Sequence, residues 1–137
     1  MTVVHRWLGL LVFVLLTVIM VTGLVLRLLR KNETPTAVWA IQHWTENILA
    51  VQVVLGVIML IMGLRVVGGP LVWFHYLYGS LFPLIAIVAG RIGALRREQR
   101  EYISLAWGAF FSIALLMRAI QTACGNDWAS ITHCFTR

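Results

Sequence analysis

Residues 7–26 read WLGLLVFVLLTVIMVTGLVL, 20 positions without a charged side chain. A hydrocarbon core about 30 Å thick is crossed by roughly 20 helical residues, so this stretch alone predicts a membrane-spanning helix. Further uncharged runs occupy 47–64, 68–90 and 102–117, with 18, 23 and 16 residues. The last is short, but Arg118 beyond it can snorkel, and apolar character resumes over 119–123. The whole chain is 61% apolar and 12% charged, against about 45–50% and about 25% for a soluble domain. Spanning β-strands would alternate polar and apolar residues over about 10 positions, and these runs do not. The expected fold class is all-α, one integral membrane four-helix bundle embedded in the lipid bilayer. Its helices are expected at about 3–29, 37–67, 70–95 and 101–123, with a short tail at 124–137.

The net charge is +6 over 137 residues. No solvated basic face accompanies it, which argues against a nucleic-acid partner. The first run is too long for a secretory signal and lacks a small-residue cleavage site, so it reads as a retained helix. Pro35 marks the first link, Gly68-Gly69-Pro70 breaks the second, and a charged turn at 96–100 forms the third. Arg27, Arg30, Lys31, Arg91, Arg96, Arg97 and Arg100 gather near the first and third links. The positive-inside bias then puts those links in the cytoplasm and both termini on the outer, periplasmic side of the cell inner (plasma) membrane. Arg6, Arg65 and Arg118 fall near outer helix ends, where they either anchor the interface or neutralise something anionic. Cys124 and Cys134 lie in the outer tail, and a disulfide between them is the economical reading in an oxidising compartment.

Laying helix one on helix three suggests a tandem repeat of a two-helix unit. His5-Arg6-Trp7-Leu8-Gly9 aligns with His75-Tyr76-Leu77-Tyr78-Gly79, and in the same register Gly23 meets Gly93 and Arg27 meets Arg97. Helices one and three run in the same direction, so His5 and His75 are expected at one depth near the outer surface. Two imidazoles on opposite sides of a bundle core suit a six-coordinate haem iron. Gly9 and Gly79 each follow their histidine by one turn and are expected to let a flat macrocycle lie against the backbone. Trp7, Trp73, Phe74, Tyr76 and Tyr78 are candidate walls. Arg6, Arg65 and Arg118 are candidate partners for the two propionates. The competing readings for the histidines are interfacial polar residues and chlorophyll ligands. His43 belongs to the cytoplasmic end of helix two, roughly 30 Å from the outer end. It is read as interfacial, with Glu46 available to hold its ring. His133 in the tail has no assigned role.

His5-Arg6-Trp7-Leu8-Gly9, then Gln52-Val53-Val54-Leu55-Gly56, then His75 opening the next helix, resemble the haem A synthase family. That family has eight helices in two similar halves with histidine pairs flanking haem, and this chain is similar to its helices two to five, chiefly over residues 5–95. The resemblance implies that His5 and His75 match the histidine pair of one haem pocket, and that the cysteines match an outer-loop pair carried by some members. Where the family has a functional glutamate three residues before the first histidine, this chain has Thr2, and the second half with its own pair has no counterpart. A haem holder is therefore expected rather than an enzyme oxidising a haem methyl group.

The expected cofactor is one haem b. The expected role is electron transfer, or service as an accessory subunit of a respiratory or photosynthetic complex. Other membrane subunits or a second copy in a homodimer are the expected partners. Two rivals remain at this stage: a half-length haem A synthase-like enzyme acting as a homodimer, and a cofactor-free or pigment-binding structural subunit.

Overall fold

The computed structural model describes residues 2–66, 72–125 and 128–136. Helix α1 covers Thr2–Leu28 and α2 covers Thr36–Ile61. A third span runs from Val72 to Leu95 as α3 (Val72–Tyr76), one π turn (Leu77–Leu81) and α4 (Phe82–Leu95). Helix α5 covers Tyr102–Cys124 and a short α6 covers Trp128–Thr136. The fold is all-helical, and four of its helices are long and apolar enough to cross a membrane.

Local chemistry explains where these helices stop. Helix α2 ends at Ile61, earlier than the expected 67, because Gly63 takes a φ of +78°. There the Leu64 N–H reaches back to the Met59 carbonyl at 2.9 Å, the closing bond of a Schellman motif. The Gly68-Gly69-Pro70 breaker, and with it the expected start of helix three, lies outside the described residues. Helix α1 closes in the same way, with Arg30 at φ 53° and the Lys31 N–H on the Leu26 carbonyl at 3.0 Å.

The π turn precedes Pro83, which has no N–H to offer the carbonyl one turn back and whose ring crowds it. Widening the preceding turn relieves that conflict, and the Phe82 N–H bonds the Leu77 carbonyl. Such single wide turns recur at functional sites, and this one carries Gly79 and Ser80.

The helices alternate in direction. Helix α5 packs on α1 along one side and on α4 along the other, α2 lies against α1, and α2 meets the third span more loosely. The third span is thus diagonal to α1. Val12, Leu16 and Ile19 of α1 are buried against Leu105, Ala109 and Leu116 of α5 together with Ile87 and Leu49. The closest approach is between α4 and α5: a Cβ on Gly108 would stand 2.9 Å from the Ala86 carbonyl oxygen and from the Gly90 Cα. Gly23 likewise faces Ala106 and Gly93 faces Ser104. These small residues serve packing within the chain, a choice the sequence left open.

Polarity is inverted relative to a water-soluble bundle. Gln42, Thr45, Glu46, Gln52 and Ser112 are buried, whereas Leu28, Ile61 and Leu95 are exposed. Soluble monomers seldom expose contiguous apolar patches beyond several hundred Å², but lipid tails tolerate such a surface. Ser112 donates to the Pro83 carbonyl at 3.0 Å and ties α5 to α4. Glu46 accepts from Arg91 at 2.6 Å and from Gln42 at 3.0 Å, so it holds the third span and does not hold the ring of His43, which is exposed.

Removing Glu46 takes the acceptor from the buried Gln42 amide as well as from Arg91, which is partly exposed. Glu46→Ala is expected to destabilise the bundle by about 1–3 kcal/mol. Replacing both Glu46 and Arg91 by methionine should recover most of that loss, because a paired charge in low dielectric contributes little net stability. Thermal unfolding of the two variants in one detergent checks this.

At one end the first and third links are stitched together. The Arg100 N–H bonds the Asn32 carbonyl at 2.9 Å, the Tyr102 hydroxyl donates to the Lys31 carbonyl at 2.8 Å, and Trp39 Nε1 donates to Glu101 at 2.8 Å. The basic residues of both links therefore share one end of the molecule. At the other end Cys124 and Cys134 form a disulfide. The short tail contains α6, beside the end of α5.

Candidate functional site

At the end opposite the stitched links, the four spans splay around a cavity of about 430 Å³. Helix α1 contributes His5, Arg6 and Gly9. Helix α2 contributes Gln52 and Gly56, the third span His75, Tyr76, Gly79 and Ser80, and α5 Leu116, Ala119 and Ile120. The disulfide closes part of the rim. The volume lies within the range of about 300–1,000 Å³ usual for small-molecule sites, and the lining is mostly apolar with a few polar groups.

Both histidines line this one cavity. His75 Nδ1 lies 2.9 Å from the Ala119 carbonyl oxygen. A carbonyl only accepts, so the ring carries its proton on Nδ1 and keeps a free lone pair on Nε2. Metal-ligating histidines are commonly held in this manner by a backbone carbonyl. Gly79 faces the same stretch of α5, where a Cβ would stand at ordinary contact distance, 3.4 Å, from that of Ala119. His5 is half-buried, its Cε1 would be 3.4 Å from a Cβ on Gly56, and its Nδ1 is buried without a partner among the described residues.

Other expected site residues fall differently. Gly9 lines the cavity, but the space beside it is taken by the Gln52 amide, 3.0 Å from where a Cβ would stand, and not left open for a macrocycle. Arg6 and Arg65 are on the rim; Arg6 donates to the Cys134 carbonyl at 2.6 Å and so pins α6. Arg118 is outside the lining and donates instead to Gln121 at 2.9 Å. It lies two positions from both Leu116 and Ile120, which puts it on the opposite face of α5. The same geometry corrects the aromatic walls. Trp7 and Trp73 each stand two residues from a lining histidine and are exposed, Phe74 stacks on Tyr78 at 5.2 Å, and of the five only Tyr76 lines the cavity. His43 belongs to the far end, and His133 lies on α6.

Reading by sequence missed the Ala119 carbonyl, which leaves no side-chain signature, and it did not assign Gln52 to the site. The latter was open to view as a lone amide in an apolar run, and polar groups in such runs are functional by default.

No family model matches the chain, and neither a curated protein nor a solved structure matches it. The site must therefore be judged by its donors. Among the described residues no group of three or more His, Cys, Asp or Glu side chains could hold a metal ion. Two imidazoles in a mostly apolar cavity suit axial ligation of a metal whose remaining ligands come from a cofactor.

Proposed function

We propose that this chain is a membrane cytochrome b-like protein holding one haem b between His5 and His75, serving electron transfer or acting as an accessory subunit of a respiratory or photosynthetic complex. The observation that supports it most is the His75 Nδ1 contact with the Ala119 carbonyl at 2.9 Å, in the same cavity as a second half-buried imidazole. Haem, when bound, supplies a one-electron ferrous–ferric couple. The chain's part is to present two neutral Nε2 donors, to keep water away with Leu116, Ala119 and Ile120, and to offer Arg6 and Arg65 at the rim to carboxylates. His5 and His75 would hold the iron from two sides and leave it no open position, which would favour electron transfer over oxygen chemistry. Among the described residues no Asp or Glu lines the cavity.

The same reading places the termini outside the cell inner membrane. Support comes from the basic residues sharing the end with the stitched links, and from the disulfide at the cavity end, since disulfides persist in oxidising compartments. Lipid surrounds the bundle in this reading, and other membrane subunits or a second copy are its partners.

The test is a reduced-minus-oxidised spectrum of the purified protein with a pyridine haemochrome assay. A low-spin b-type signal at about one haem per chain is expected. Lack of any b-type signal would sink the proposal, while extraction of haem O or haem A would favour the half-length synthase acting as a homodimer.

A further inference from the structure

We infer that Gln52 is a positioning residue for His5, accepting the Nδ1 proton of its ring and so directing Nε2 into the cavity; this rests on the haem-holding reading above. The two histidines are unequal. His75 has the Ala119 carbonyl at 2.9 Å, whereas His5 Nδ1 is buried with no partner among the described residues. Buried ring N–H groups need an acceptor, and the one lining the same cavity with unspent capacity is Gln52 Oε1, also buried and without a partner. The other orphaned oxygen, that of Gln42, is not part of the cavity lining.

The packing of α1 on α2 brings the two orphans together. His5 abuts Gly56, and one turn deeper Gly9 abuts the Gln52 amide. Gln52 and His5 are thus one helical turn, about 5.4 Å, apart along the same seam. A glutamine side chain swings through that distance, and a single bridging water covers it as well. Gly9 is what leaves the amide free to swing, since a side chain there would meet Gln52 Nε2. The assignment of oxygen and nitrogen within the amide follows from the hydrogen bond it makes, and with Nε2 toward Gly9 the oxygen is the end left for His5. Each imidazole is then held by an acceptor on a neighbouring helix, His75 by α5 and His5 by α2.

The test compares wild type, Gln52→Leu and Gln52→Glu in two preparations. In the haem-loaded protein, Gln52→Leu is expected to weaken haem retention about ten- to a hundredfold, the usual effect of losing such a partner, and to raise the midpoint potential. Gln52→Glu, a stronger acceptor, should retain haem and lower the potential. Opposite shifts are the mark of a hydrogen bond to the ligand; a packing role alone would move both variants the same way. In haem-free protein with 15N-labelled histidine, Gln52→Leu should change the ring nitrogen signals of His5 and leave those of His75 unaltered. Unchanged His5 signals in that preparation, or potentials that move together, overturn the inference. If wild type takes up no haem, the functional reading fails, while the haem-free nitrogen signals still decide the role of Gln52.

Discussion

Replacing His75 with alanine is expected to abolish the low-spin haem signal. Its imidazole is the better prepared of the two donors, with Nδ1 on the Ala119 carbonyl at 2.9 Å. No other side chain of the third span can substitute, because Tyr76 is engaged with the Val66 N–H at 3.3 Å and Ser80 donates to the Tyr76 carbonyl. Loss of one axial ligand converts a six-coordinate iron to a five-coordinate one, so the sharp absorbance of the reduced form should collapse even where some haem stays bound. His5→Ala should do the same. His43→Ala should leave the spectrum intact, since that exposed residue is at the far end of α2. Added imidazole should restore part of the low-spin signal in His75→Ala, because truncation leaves a ring-sized space in the cavity wall. A low-spin spectrum that survives His75→Ala without added imidazole would remove this residue from the site.

The second large effect is structural. Gly108→Leu is expected to prevent the bundle from closing, with the protein recovered as aggregate or with a strongly lowered thermal midpoint. Even a methyl group there would stand 2.9 Å from the Ala86 carbonyl oxygen and the Gly90 Cα. Those are backbone atoms that no rotamer change can move aside. Gly108→Ala should cost about 1–3 kcal/mol, the usual range for overpacking. The leucine must push α4 and α5 apart and take Ser112 away from the Pro83 carbonyl. Apolar attraction between helices is absent in lipid, so close backbone contact is what holds spans together. Gly56→Ala makes a useful contrast: its new Cβ would meet only the His5 ring at 3.4 Å. That is ordinary contact distance, so Gly56→Ala should stay folded and closed, and circular dichroism in detergent separates it from Gly108→Leu.

What was legible in the sequence follows from which interactions carry a signature there. Long uncharged runs are dictated by membrane thickness, so the four spans could be read directly. The common depth of His5 and His75 followed from counting crossings, and the disulfide from two cysteines in one tail. Ends set by backbone geometry were less legible: Gly63 stops α2, yet the more conspicuous Gly68-Gly69-Pro70 drew the boundary. Helix α6 escaped because nine residues are too few for a composition signal. The aromatic walls failed for a different reason. Trp7 and Trp73 neighbour the histidines in sequence, but a two-residue step on a helix turns a side chain through about 200°. Arg118 was misplaced by the same shortcut, proximity along the chain standing in for direction.

The pairing of Glu46 with Arg91 also bears on how such a bundle is made. The ribosome delivers α2 before the third span, and Glu46 lies well inside α2 with its partner 45 residues later. A charged side chain at the centre of a lone spanning helix costs about 2.5–3.5 kcal/mol to insert; Glu46 stands at the edge of the 47–64 run and Arg91 just beyond 68–90, so each alone meets only part of that barrier. Each helix removes the obstacle to the other. If the spans enter a bilayer one after another, α2 gains its partner only when the third span arrives, and the two charges are then neutralised within one hairpin.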